Sequence, residues 1–310
     1  LECHDIMCKV GEIVVSGGVR RSAMISLSNL SDDRMRHAKS GNWWETAPHR
    51  ALANNSVSYT EKPDMETFLR EWTALVESKS GERGIFNRQA SKKQAAKNGR
   101  RDTEWEFGTN PCSEIILRPY QFCNLSEVVV RVTDDLKSLS NKVRLATIIG
   151  TLQSTLTKFP YLRKVWQNNT EEERLLGVSL TGIMDNPLLT TKNKGLAQML
   201  DHLRHVAIDT NKEWSERLGV QQSTAITCVK PSGTVSQLVD SASGIHARHS
   251  PYYYRTVRGD NKDPLTQFMK DQGIPSELCV GKPHTTTVFT FPVAAPKNAV
   301  TRNDMTAIDQ

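Results

Sequence analysis

The chain is 310 residues long, with 37% hydrophobic, 24% charged and 6% aromatic residues, a globular composition that supplies a sizeable core and excludes a disordered or fibrous protein. Forty Lys plus Arg against 34 Asp plus Glu give a net charge of +6, which suits a phosphorylated small molecule as well as nucleic acid. No run approaches the roughly 18 uncharged apolar residues of a membrane span and no secretory signal opens the chain, so a cytoplasmic location is expected. The first residue is Leu1 rather than Met, and part of a longer protein is expected to be missing.

Ile13 to Val15 and Ala23 to Leu27, separated by Gly17, Gly18 and two arginines, read as strand, glycine loop, strand. Ser31 and the acidic residues after it predict a short capped helix closed at Gly41. Pro63 and Asp64 open an amphipathic helix with Phe68, Trp72, Leu75 and Val76 on one face. The basic stretch from Ser91 to Arg101 (Lys92, Lys93, Lys97, Arg100, Arg101) lacks interleaved aromatics for base stacking, so it reads as a solvated face or loop rather than a nucleic-acid patch. Apolar residues from Leu145 to Phe159 and from Leu196 to Leu218 recur at helical spacing, ending at Pro160 and Gly219. Val128 to Val132, Leu175 to Leu180, Ala225 to Val229 and Thr285 to Phe291 are of strand length. Strands alternating with such helices predict parallel β/α units in an α/β sheet or barrel, in one compact unit.

Two segments carry chemistry. In Phe107 to Glu114 a Gly turn and a Pro flank one thiol. Asn110, Cys112 and Glu114, two residues apart, can project to one side of an extended loop and meet a small ligand. Cys123 follows eleven residues after Cys112. Six cysteines in all are too few for a disulfide scaffold, and the absence of CxxC pairs or a close His disfavours zinc, leaving a dithiol role for this pair. The second segment, Lys230 to Ser236, follows a predicted strand. Its Pro231, Ser232, Gly233, Thr234 and Ser236 offer unhindered N–H groups and hydroxyls of the sort that cradle phosphate, without the pattern of a P-loop. Cys3 and Cys8 in a predicted helix, Cys228 in a predicted strand and Cys279 in a loop read as packing or surface thiols. His246 and His249 lack further ligands and read as hydrogen-bonded structure, so no metal site is expected.

Taken in order, Gly17-Gly18-Val19-Arg20-Arg21-Ser22-Ala23, Ala53-Asn54-Asn55-Ser56, Gly84-Ile85-Phe86-Asn87, Asn110-Pro111-Cys112-Ser113-Glu114, Cys123-Asn124-Leu125, Pro231-Ser232-Gly233-Thr234 and Ser243-Gly244-Ile245-His246 closely resemble the catalytic subunit of ribonucleotide reductase, in particular the single-chain, adenosylcobalamin-dependent class II type. The resemblance runs over nearly the whole chain. It implies a ten-stranded α/β barrel around a finger loop, cut short here in its N-terminal half and its C-terminal tail. Residues 1–310 would then be a catalytic-barrel portion, with a specificity-loop segment (1–30), a finger loop and following strand (105–126) and a second half-barrel (127–310).

By the same resemblance Cys112 is the radical thiol, Glu114 the base on the 3′ hydroxyl and Asn110 the residue orienting the sugar. Cys123 is one of two reducing thiols. Substrate phosphate is expected on Pro231, Ser232, Gly233, Thr234 and Ser236. Gly17, Gly18, Val19, Arg20 and Arg21 would carry the message of a deoxynucleotide or ATP effector. The implied cofactor is adenosylcobalamin, the substrate a ribonucleotide, a triphosphate in the first place with a diphosphate-specific reductase as the alternative, and the reductant thioredoxin-like. The second reducing thiol is expected from an upstream segment or chain. The competing readings are a nucleotide-binding fragment without turnover, a metal-radical class I enzyme and, on the 92–101 charges alone, a nucleic-acid module.

Overall fold

The computed structural model describes residues 1–16, 19–20, 22–97, 99–190 and 195–310. These gather into two compact units rather than the single one expected: Leu1–Ser58, Lys62–Ile85 and Ser250–Ala295 form the first, and Tyr59–Glu61, Phe86–His249 and Pro296–Gln310 the second. The chain leaves the first unit and returns to it after residue 249, a return that no local periodicity marks.

In the first unit the helix Glu2–Glu12 buries Cys8 against Leu52 and Ala53. Strands Met24–Ser28 and Ala53–Tyr59 pair in parallel, Met24 opposite Ala53, and Gly84–Asn87 lies on the other side of Ala53–Tyr59. The helix Met65–Ser78 starts where Asp64 accepts a hydrogen bond from the Thr67 amide. The short helix Asp33–Arg36 is capped by Asp32 and stops well before Gly41. Glu71 is buried between Arg36 and Arg83, whose Nε donates to its carboxylate at 3.0 Å. Those two guanidiniums outweigh the cost of burial and hold the carboxyl below its ordinary range. The long antiparallel pair Tyr252–Asp260 with Thr286–Ala294, flanked by Ser276–Leu278, completes this unit.

The second unit holds the parallel pair Asn124–Val129 with Leu176–Thr181, Asn124 opposite Leu176. Even-numbered side chains of this pair face the helices. A Cβ on Gly150, in the helix Leu136–Gln153, would lie 3.4 Å from Ser126 Oγ and 3.3 Å from Leu176 Cδ2. Val128, Val143, Val178, Leu203 and Ala207 form the core between this pair, that helix and the helix Gly195–Leu218. Each buried Val or Leu side chain among them contributes about 1.5–3 kcal/mol. The expected strand at Ala225 to Val229 is reduced to one parallel bridge, Thr227 to Val178. The ladder nevertheless continues through Leu176 N to Ala225 O and Cys228 N to Val178 O. Among the described residues the sheets have two or three strands and none closes into a barrel. No described helix is long and apolar enough to cross a membrane.

Candidate active site

The segment Phe107 to Glu114 is a hairpin rather than a free loop. Gly108–Thr109 pairs antiparallel with Ile116–Leu117, Thr109 opposite Ile116. The tip closes by a turn in which the Ser113 amide donates to the Asn110 carbonyl at 2.9 Å, with Pro111 supplying the fixed φ of the second position. Ser113 takes the left-handed conformation, φ 66°. The Asn110 side-chain oxygen accepts from the Ile115 amide at 3.0 Å. Its Oδ1 is therefore spent on the turn, and its NH2 group is the part suited to a ligand. Cys112 stands at the tip, exposed.

The root of the hairpin is held by buried charge. Arg101, expected on a solvated basic face, is 9% exposed. It donates to both oxygens of Glu173 at 3.1 and 2.9 Å and to the Ile116 carbonyl at 3.0 Å. Gln121 donates to the same carboxylate. The Arg101 guanidinium also lies 5.0 Å from the centre of the Phe107 ring, which is wholly buried. Arg100 donates to the Gln222 carbonyl at 2.9 Å. Two of the five charges in the basic stretch thus serve the fold.

Behind the tip lies Glu114, its side chain 3% exposed, with the Lys230 ammonium 3.1 Å from Oε1. Burial pulls the Lys230 pKa down, but the hydrogen bond and charge of Glu114, joined by the Cys112 thiol, outweigh it and the net shift is upward. Cys123 is half-buried; desolvation, then the Glu114 charge, push its thiol up to about 11. Cys228, read from sequence as packing, belongs to the same cluster. A Cβ on Gly177 would lie 3.0 Å from Cys228 Sγ, 3.1 Å from Ile115 Cδ1 and against Leu125. Burial, then the charges of Glu114 and Cys123, push Cys228 up to about 12. The odd-numbered face of the strand pair thus gathers what the sequence spreads over more than a hundred residues. The place of Lys230 and Cys228 beside Glu114 escaped the sequence reading because nothing local marks it. The only available signal was that Lys230 directly precedes Pro231.

The turn after Lys230 is tightly built. Gly244, φ 55°, packs beneath it, where a Cβ would lie 3.1 Å from the Lys230 carbonyl and 3.2 Å from the Ser232 amide; only glycine fits. The Gly244 amide donates to Thr181 Oγ1 at 2.8 Å, and Ser243 Oγ donates to the Ser232 carbonyl. Pro231, Gly233 and Thr234 are exposed, Ser232 half-buried, and the space beside Gly233 is open, nothing lying within 4 Å of a Cβ placed there. Ser236, expected as an extra donor to phosphate, is wholly buried and donates instead to the Gly233 carbonyl at 2.7 Å, so its hydroxyl serves the turn. His246 Nδ1 lies 3.0 Å from the Ser243 carbonyl. Of the expected effector loop, Gly17, Gly18 and Arg21 lie outside the described residues; Val19–Arg20 pairs antiparallel with Val15–Ser16.

Comparisons with known proteins point to the ribonucleotide reductases. A class Id ribonucleotide reductase alpha subunit of Actinobacillus ureae superposes with a TM-score of 0.52 at 15% identity over 80% of this chain and 52% of its own, a likeness of fold. A crystal structure of a B12-dependent class II ribonucleotide reductase superposes with a TM-score of 0.73 at 26% identity over 97% of this chain and 44% of its own. The adenosylcobalamin-dependent ribonucleoside-triphosphate reductase of Lacticaseibacillus paracasei is 30% identical over 95% of this chain, and that of Euglena gracilis 29% over 99%. No family model matches the chain. The chain is a homologue of the ribonucleotide reductases. Within them its relatives are the adenosylcobalamin-dependent class II enzymes, and it spans about 42% of their length.

Proposed function

We propose that this chain is the catalytic portion of an adenosylcobalamin-dependent ribonucleotide reductase that converts ribonucleoside triphosphates to 2′-deoxyribonucleotides. The observation that carries the reading is the finger hairpin, which puts an exposed Cys112 in front of a buried Glu114 paired with a half-buried Lys230. A sulfur radical at Cys112 takes the hydrogen from the ribose 3′ carbon, making an S–H bond as the C–H bond breaks. Glu114 accepts the 3′ hydroxyl proton while the Asn110 NH2 group holds the sugar. The 2′ hydroxyl leaves as water, and two thiols, Cys123 among them, give up two electrons and two protons and end as a disulfide. One of those protons joins the departing hydroxyl and the other ends on the 2′ carbon; Cys112 then returns its hydrogen atom to the 3′ carbon and is a radical again, while Glu114 gives its proton back to the 3′ oxygen. A thioredoxin-like protein restores the dithiol.

When bound, adenosylcobalamin supplies the odd electron by homolysis of its cobalt–carbon bond. The residues present fit such a group at one point: the Cys112 thiol is exposed, so its sulfur would be within reach of a bulky cofactor. Substrate phosphate takes the exposed amides of Gly233 and Thr234 and the Ser232 hydroxyl. The strand pair around Val15 to Arg20 reports the effector nucleotide. In the whole enzyme these strands contribute to a ten-stranded α/β barrel. An exposed Cys112 also favours a second reading, that a further segment or chain completes the site, since a sulfur radical survives only where water and oxygen are kept out.

In the full-length protein Cys112→Ser is expected to abolish deoxynucleotide formation while nucleotide affinity stays within a few fold; appreciable turnover by this variant overturns the assignment. For the second reading, the 310-residue chain mixed with cofactor, ribonucleotides and dithiol is expected to turn over only when an upstream fragment is supplied.

A further inference from the structure

Lys230 belongs by its backbone to the phosphate turn and by its side chain to the finger. Its backbone is pinned: Pro231 follows it, and Gly244 packs against its carbonyl. Its side chain points away from that turn, to Glu114 Oε1 at 3.1 Å and to the Cys112 thiol. Both carboxylate oxygens of Glu114 are buried, and the described side chains offer them no closer polar partner than this ammonium. A buried carboxylate facing a single cation takes its orientation from that cation. From these contacts we infer that Lys230 is a positioning residue, which aims the Glu114 carboxylate beside Cys112 from a foothold on the phosphate turn and is not itself a ligand of the phosphate. The inference rests on reading Glu114 as the base.

The two roles separate in steady-state kinetics. A lysine that binds phosphate acts on ground state and transition state alike, so its loss raises KM; one that aims the base acts in the chemical step, so its loss lowers kcat. In the full-length enzyme with adenosylcobalamin, ribonucleoside triphosphate and dithiol, Lys230→Gln is expected to lower kcat by about ten- to a hundredfold with KM within about threefold, as for a misaimed general base. Lys230→Arg, which keeps the charge, is expected to recover most of the rate. In a Glu114→Gln background, Lys230→Gln is expected to cost less than a further twofold, because the group it aims is gone.

Lys230→Gln leaves a buried charge unpaired and can fail to fold; the Glu114→Gln/Lys230→Gln pair carries no such charge, and its comparison with Glu114→Gln alone gives the same answer. A rise in KM at unchanged kcat, or a full additional loss in the double variant, overturns the inference. If Glu114→Gln is slow and Lys230→Gln is not, the inference falls and the reading of Glu114 as base stands. If Glu114→Gln runs at the parental rate, that reading falls too.

Discussion

The six thiols differ first in access. Cys112 and Cys3 are exposed, whereas Cys123 and Cys228 are half-buried and pushed up to about 11 and about 12. Alkylation needs the thiolate. Treating the protein with iodoacetamide near pH 8 and locating the label by mass spectrometry should therefore show Cys112 and Cys3 modified well before Cys123 and Cys228; early labelling of Cys228 would remove it from the buried cluster. Gly233 gives a second test. Its Cβ position is empty of protein atoms, so Gly233→Val adds its side chain to open space. If phosphate sits there, the same change should raise KM for the nucleotide at least tenfold, and an unchanged KM would move the phosphate elsewhere. At this scale the sequence was informative about Cys112, Glu114 and Cys123, whose spacing is local. It placed Lys230 only at the head of the phosphate segment and Cys228 only in packing, because the Glu114 that both face is more than a hundred residues away.

Among the elements, helices were legible where their caps and stops are chemical. Asp64 before Met65–Ser78 and Gly219 after Gly195–Leu218 were both read correctly. The start of Leu136–Gln153 was missed, because it is set by a reciprocal bond pair between Asp135 and Ser138 rather than by apolar spacing; its end also falls short of Pro160. Arg101 was misread because charge alone cannot tell a solvated side chain from one paired with a distant carboxylate. The same blindness hid the Arg36–Glu71–Arg83 cluster. Replacing Glu71 by Gln leaves the buried Arg83 guanidinium without its anion and Arg36 with only the exposed Asp33, and a loss of about 3–5 kcal/mol in unfolding free energy is expected from urea denaturation. Because the folded pKa of Glu71 lies below its unfolded value, its contribution is full above the unfolded pKa and fades as pH falls through the folded one. The deficit of Glu71→Gln relative to parent should accordingly shrink on acidification, and a constant deficit from pH 7 to pH 3 would show that packing, not charge, is lost.

For the whole molecule, the parallel β/α character was legible from alternating strand and helix lengths, and two parallel pairs bear it out. The division into two units was not, since it depends on Ser250–Ala295 rejoining the N-terminal unit. The finger hairpin has two residue pairs in its ladder, and its root is clamped through Arg101 to Glu173, a residue of the helix Lys164–Glu173. Mechanically this is a cantilever: stiffness resides at the clamp, and precision is needed at the free end. A modest loosening there, such as Arg101→Lys, removes no reacting group of the proposed reaction yet lets the tip and its Cys112 swing. The cost of such a change would fall on fidelity before speed, with cofactor consumed in excess of deoxynucleotide made, because a sulfur that wanders meets solvent before it meets sugar.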